Sequence, residues 1–267
     1  MNRPIQLCTD SSAQLPARLA EALCVEVVPV GIALDGEPVD ETEVDVDLFY
    51  DRLREGARAS TSQPSPGRLA EAYALAAERG AGEVLSLHVS AAVWGTVGSA
   101  ELAALDAPIP VTVVDTRTVS FGVAACVIAA AAVLAAGGPV GDAVAAAERL
   151  APTVRNAFVA GGAPGGRVPA AAGLPLLSFA DSSTEMLGSA ESIEHAAALI
   201  ESHILSREGP IVAAVGHADR ATAAAADALA VALEAQVAEL IRYRVGPSVG
   251  AHTGGLSFGA FWWPAAW

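Results

Sequence analysis

At 267 residues and 53% hydrophobic composition, the chain is long enough for two ordinary domains or one large one, and too apolar to be disordered. Its formal net charge of −15, with 15 basic residues that are all arginine, offers no basic stripe to neutralise a phosphate backbone, so nucleic acid is excluded as an expected partner. Cys8, Cys24 and Cys126 are odd in number and widely spaced, without a CxxC pair, which argues against disulfides and against a zinc or redox motif.

Taken in chain order, MNRPIQLCTD reaches Asp10 too soon for a signal-peptide core, so a cytoplasmic location is expected. The runs IQLCT and CVEVVPVGI read as strands. The acidic run from Asp35 to Tyr50 carries seven carboxylates between Asp35 and Asp47 but lacks the glycine and terminal glutamate of an EF-hand. It reads as a solvated turn leading into a helix. Thr61 to Gly67, TSQPSPG, then packs three hydroxyls and two prolines into seven positions before RLAEAYALAAERG. Pro66 suits the first helical position and Ser65 the N-cap, because proline lacks an N–H that would be unpaired there and serine accepts from one that is. Thr61 and Ser62 are left over; a rigid turn with hydroxyl donors can seat an anion, and an ordinary capped helix entry is the alternative.

VLSLHV reads as a strand followed by a helix, and VTVVD as a strand feeding the apolar run Val119 to Gly138. That run nears transmembrane length, but it is mostly alanine and contains Ser120 and Gly122; a buried helix is expected, and no membrane span. The alternation of strands and helices predicts an α/β protein with a mostly parallel sheet. Ligands in such sheets sit beyond the C-terminal strand ends, which singles out Thr9 to Ser12, Ser90 to Thr96 and Asp115 to Ser120. The glycine- and proline-rich stretch Gly161 to Pro175 reads as a seam, dividing the chain into domains at 1–160 and 161–267. Beyond it a helix near Glu191 to Ser206, the strand IVAAVGHA, a helix near Ala221 to Leu233 and the strand VAELIRYRV make the second half α/β as well.

GPSVG, Gly246 to Gly250, matches a nucleophile elbow, yet a loop, AHTGGLSFG, is expected after it, and no Asp or Glu follows Ser248 to complete a triad. Glu191, Glu194, His195 and His203 read as an exposed polar face; no metal or cofactor is expected, since neither HExxH nor a phosphate-binding glycine motif occurs.

Three hydroxyl-rich pieces remain: TSQPS at Thr61 to Ser65, LHVSAAVWGTVGSA at Leu87 to Ala100 and GAHTGG at Gly250 to Gly255. With CTDSSAQLP at Cys8 to Pro16, VVPVGIALDG at Val27 to Gly36, VVDTRTVSFG at Val113 to Gly122, GGR at Gly165 to Arg167 and GHAD at Gly216 to Asp219, their order resembles the DegV family from about Leu7 to Phe258. The resemblance implies two α/β domains with a tunnel between them for one long-chain fatty acid, and a carrier without turnover of its own. Some members present the acid to a separate fatty acid kinase subunit. By the same resemblance the carboxylate is held by Thr61, Ser62 and His252, on opposite walls of the cleft, with Trp94 beside them. Ser90, Gly95, Thr96 and Thr253 line the pocket. Burial of a chain of roughly 16 carbons contributes on the order of 10 kcal/mol gross, before immobilisation and head-group desolvation.

The departures are equally specific. The family's SSxLSGT reads SAAVWGT here, so Trp94 stands in place of a serine donor and Ala91 in place of another hydroxyl. The basic stretch around GGR is shortened, and Glu191 stands where an arginine associated with the kinase step aligns. A protein that keeps the fold but has lost fatty acid, or takes another small apolar acid, is the alternative reading.

Overall fold

The computed structural model describes residues 4–161, 173–180 and 183–266. The N-terminal half opens with β1 (Ile5–Asp10), α1 (Ala17–Ala22), β2 (Val25–Val28), β3 (Gly31–Leu34) and β4 (Glu37–Val39). It continues with α2 (Val46–Arg54), β5 (Ala59–Ser62), α3 (Pro66–Glu78), β6 (Glu83–His88) and α4 (Thr96–Ala104). Then come β7 (Val111–Asp115), α5 (Phe121–Ala135), α6 (Val140–Leu150) and β8 (Arg155–Val159). The remainder is β9 (Leu174–Ala180), β10 (Ser183–Ala190), α7 (Ile193–Leu205), β11 (Ile211–His217), α8 (Arg220–Glu234), β12 (Glu239–Arg244), α9 (Pro247–Thr253) and β13 (Phe258–Pro264).

Two compact units result, and the boundary differs from a single cut at 160/161. The first unit comprises residues up to Gly31 together with Ser62–Pro152; the second comprises Ile32–Thr61 together with Thr153 onward. The reason is visible in what the segment 32–61 bonds to. Tyr50 Oη donates to the Val245 carbonyl at 2.7 Å, Arg54 pairs with Asp219 at 2.9 Å, and Glu41 Oε1 accepts from the Ser248 N–H at 2.9 Å. Most of the expected seam, residues 162–172 with Gly165 to Arg167, lies outside the described residues.

In the first unit the sheet runs β2–β1–β6–β7 with every pair parallel, the arrangement expected of strands buried on both faces. The apolar run ending near Gly138 forms α5, buried along most of its length against Leu7, Leu85, Leu87 and Val114. On the opposite face Leu69 and Tyr73 of α3 and Ala100 and Ala103 of α4 pack on Cys8 and Val84. Among the described residues no helix is long and apolar enough to cross a membrane. The run CVEVVPVGI is two strands, not one. Pro29 has no N–H for a ladder, and the next N–H, of Val30, leaves the sheet to reach Ser11 Oγ at 3.0 Å.

The second unit carries a sheet in the order β10–β9–β8–β13–β11–β12, antiparallel apart from the β11–β12 pair. Its central strand β13, FGAFWWP, is buried and was not among the predicted strands; continuous apolarity hides the period-two signature of a strand. Helices α7 and α8 cover the sheet through Ile200, Ile204, Leu229 and Leu233. A smaller sheet, β4–β3–β5, brings in the segment 32–61.

Candidate functional site

The TSQPS loop is built by its own sequence. Ser65 is the N-cap of α3, its Oγ accepting from the Arg68 N–H at 3.2 Å, and Pro66 takes the first helical position as predicted. Thr61 and Ser62 are therefore spared from capping and close β5 instead. Gly31 makes room for Ser62: a Cβ there would lie 2.3 Å from Ser62 Oγ. Gln63 in turn lies over Gly95 of the second hydroxyl-rich loop, where a Cβ would meet its side-chain amide at 2.7 Å. The structure thus brings the TSQPS loop and the WGT loop together within the first unit.

Thr61 and His252 meet as expected, but on the same unit rather than on opposite walls. Thr61 Oγ1 and His252 Nε2 share a hydrogen bond of 2.8 Å between β5 and α9, both in the second unit. Although much of the imidazole meets solvent, desolvation by surrounding protein atoms lowers its pKa below the ordinary histidine value. A neutral ring beside a threonine hydroxyl is an uncharged donor–acceptor pair, able to redirect one O–H or N–H toward an added acceptor.

The remaining predicted site residues divide into spent and unspent hydroxyls. Ser90 is buried and turns its loop: its Oγ accepts from the Ala92 N–H at 3.3 Å and its carbonyl from the Val93 and Trp94 N–H groups. Thr253 Oγ1 donates to the Val249 carbonyl at 3.3 Å, closing its own helix. The Thr253 proton is thereby used, whereas Ser90 accepts in its bond and keeps its own proton. Thr96, by contrast, sits in the first turn of α4 after Gly95 with a fully buried Oγ1 that has no hydrogen-bond partner among the described residues. A buried hydroxyl without a partner at a helix entrance fits an acceptor such as a carboxylate. Trp94 is half-buried and packs with Val119 against Ala13, Val89 and Val123.

Other expectations are corrected in detail. A short helix, α9, does follow the strand before GPSVG, but Ser248 lies inside that helix and is fully buried, not exposed on a strained turn. The acidic run caps α2 through Asp45, which accepts from the Asp47 and Leu48 N–H groups. It is not simply solvated, because Asp47 pairs with both Arg220 and Arg244, whose hydrogen bonds hold its carboxyl below the usual range. Among the described residues no cluster of three metal-ligating side chains occurs.

Sequence reading missed a buried polar chain: Asp10, His88, Ser86 and Tyr73, linked by hydrogen bonds of 2.7, 2.8 and 2.9 Å. The signal was present in SLH, polar residues two apart within an apolar strand. Such a pair faces one side and, if that side is core, requires partners.

An α/β protein with hydroxyl and imidazole donors on its loops is the class that this fold and these residues define. The chain belongs to the DegV family, whose family model matches residues 4–265. The DegV domain-containing protein SCO2569 of Streptomyces coelicolor is 36% identical, the match covering 95% of this chain and 96% of that one. A solved structure described as fatty acid binding of a DegV family protein from Thermus thermophilus superposes with a TM-score of 0.85 at 31% identity, covering 98% and 99% of the two chains. DegV of Bacillus subtilis, described as a fatty acid binding protein, has the same fold, with a TM-score of 0.86 at 24% identity and coverage of 98% and 99%.

Proposed function

We propose that this protein binds a long-chain fatty acid and acts as a carrier without turnover of its own. Its carboxylate is held by Thr61, Ser62 and His252, with the Thr96 hydroxyl as a further donor and Trp94 beside the head group. The tunnel between the units that the family resemblance implies, and presentation of the acid to a separate kinase, belong to the same proposal. The observation that carries it is the Thr61–His252 hydrogen bond on the two family loops. It is supported by the likeness to the Thermus thermophilus protein, which is described as binding fatty acid. Neutral donors suit a carrier, since an arginine fork would grip both carboxylate oxygens and obstruct a phosphoryl acceptor.

Native mass spectrometry of the purified protein, followed by extraction and identification of bound lipid, tests the reading. One fatty acid per chain supports it. No lipid, and no uptake on incubation with long-chain acids, favours the second reading, a DegV-fold binding or scaffold protein that has lost fatty acid, for which the substitution of Trp94 for a serine donor is the specific argument.

A further inference from the structure

The buried chain behind the strand ends is not used by the carboxylate reading. Ser86 and His88 lie on one side of β6, and the parallel register that sets Cys8 beside Ser86 continues to Asp10 beside His88. Asp10, Ser86, His88 and Tyr73 are each fully buried. Serine, histidine and aspartate in this order form the constellation of a hydrolase, but Ser86 Oγ points into packed core at Tyr73, where no substrate carbonyl can approach.

The protons in the chain have a direction. Asp10 accepts at both oxygens: Oδ1 from the Ser12 N–H at 3.0 Å and from the Ser12 hydroxyl, Oδ2 from His88 Nδ1 at 2.7 Å. His88 Nδ1 therefore carries a proton. The order that gives each proton an acceptor within the chain has Tyr73 donate to Ser86, Ser86 to His88 Nε2 and His88 to an ionised Asp10. The reverse order would have Nε2–H donate to Ser86 and Ser86 to Tyr73, leaving the buried phenol proton without an acceptor in the chain; a Ser86 proton turned to Cys8, its other side-chain partner, would instead put protons on both His88 nitrogens.

Asp10 and His88, the two members of this chain at the strand ends, adjoin the loops that carry the first unit's candidate ligand residues. Asp10 caps the turn Ser11–Ala13, and Ser11 Oγ in turn accepts from Val30 N–H, one residue before the glycine that admits Ser62. The His88 carbonyl accepts from both the N–H and the hydroxyl of Thr116, and the Thr118 carbonyl accepts from the Ser90 N–H at the base of the WGT loop. We propose that Asp10 and His88 are positioning residues: a one-way hydrogen-bond chain that fixes the ends of β1, β6 and β7 and so the spacing of Ser62 and Thr96. The role at the head group rests on the carboxylate reading; the proton order does not.

The test combines imidazole 15N NMR at pH 7 with palmitate titration of the full chain. His88 is expected to be protonated on Nδ1 alone. Asp10→Asn, whose amide must aim a donor at either His88 or Ser12, is expected to move that proton to Nε2 and to raise the palmitate Kd about tenfold, the equivalent of one charge-assisted hydrogen bond. Ser12→Ala keeps the buried pair and loosens only the turn, so it weakens palmitate binding with the tautomer unchanged, and it serves if Asp10→Asn does not fold. Protonation of His88 on Nε2, or on both nitrogens, in the unaltered protein overturns the proton order. The expected tautomer with unchanged palmitate affinity in both variants overturns the positioning role. The expected tautomer in a protein that takes up no palmitate at all sinks the carboxylate reading, and the positioning role with it, while the proton order stands.

Discussion

Thr61 Oγ1 and His252 Nε2, 191 positions apart in the chain, are hydrogen-bonded at 2.8 Å. The bond joins the end of a short strand, β5, to the last turn of a short helix, α9. In the proposed carboxylate site this bond would hold the hydroxyl and the imidazole beside each other.

Thr61→Val keeps the side-chain shape and removes the donor. Binding of a long-chain acid is expected to weaken by about 1.5–3 kcal/mol, the range for a hydrogen bond to a charged group, with the melting temperature nearly unchanged. Isothermal titration with palmitate measures this, and an unchanged Kd would remove Thr61 from the head-group site.

Desolvation lowers the pKa of His252 and also of His217. Both rings therefore take up protons more readily in the unfolded chain, where the ordinary value near 6.5 applies. Stability from these groups is fully present above that value and falls as pH drops toward their folded pKa values. Thermal melts at pH 7.5 and 5.5 are expected to show the lower Tm at 5.5, and His252→Gln with His217→Gln should flatten the difference. A slope that survives both substitutions would assign it to other groups.

Trp94 packs against Ala13, Val89, Val119 and Val123, so its ring is a wall of the first unit's core edge. Trp94→Ser supplies the hydroxyl usual at this position in the family but empties that wall, and a loss of about 2 kcal/mol is expected for a half-buried indole. Melting temperature and palmitate affinity measured on the same sample separate the effects. Tighter binding without loss of stability would show instead that the indole obstructs the head group and packs poorly.

Tyr50 is fully buried and its hydroxyl donates to the Val245 carbonyl at 2.7 Å, fastening α2 to the C-terminal segment. Burial pushes its pKa far up, so the hydroxyl stays a donor throughout the working range. Tyr50→Phe is expected to cost about 1–2 kcal/mol, the penalty of a carbonyl deprived of its donor. Chemical denaturation with an unchanged midpoint would show that the segment is held by its ion pairs alone.

Much of this architecture was legible because local rules agree with the fold. Ser65 and Pro66 announce the start of α3, alternating β-branched runs give the parallel sheet, and alanine packing explains why Val119 to Gly138 is buried rather than membrane-spanning. Motif order singled out Thr61 and His252, which the structure joins by a hydrogen bond, without giving their geometry. What escaped has physical causes. Nothing local tells that Ile32–Thr61 belongs with the second unit, since the deciding bonds, such as Tyr50 to Val245, join residues far apart in sequence. The apolar β13 carries no alternation to read. The local bonds of the expected pocket-lining hydroxyls are likewise invisible in one dimension: Ser90 accepts from the Ala92 N–H and Thr253 donates to the Val249 carbonyl.

The interleaving of the two units has a consequence for how the protein is made. Ile32–Thr61 leaves the ribosome before the whole of Ser62–Pro152, yet its partners lie at Thr153 and beyond. At synthesis rates of 5–20 residues per second, roughly 5–20 seconds pass before the first residue of the later part of the second unit is made. During the wait the strands β3, β4 and β5 have one another, but Tyr50 and Arg54 of α2 lack their later partners Val245 and Asp219. The seven carboxylates between Asp35 and Asp47 fall within this waiting stretch. Like charges at this density oppose association of an unpaired stretch, and Arg220 and Arg244, which pair with Asp47 in the finished unit, are among the residues made later.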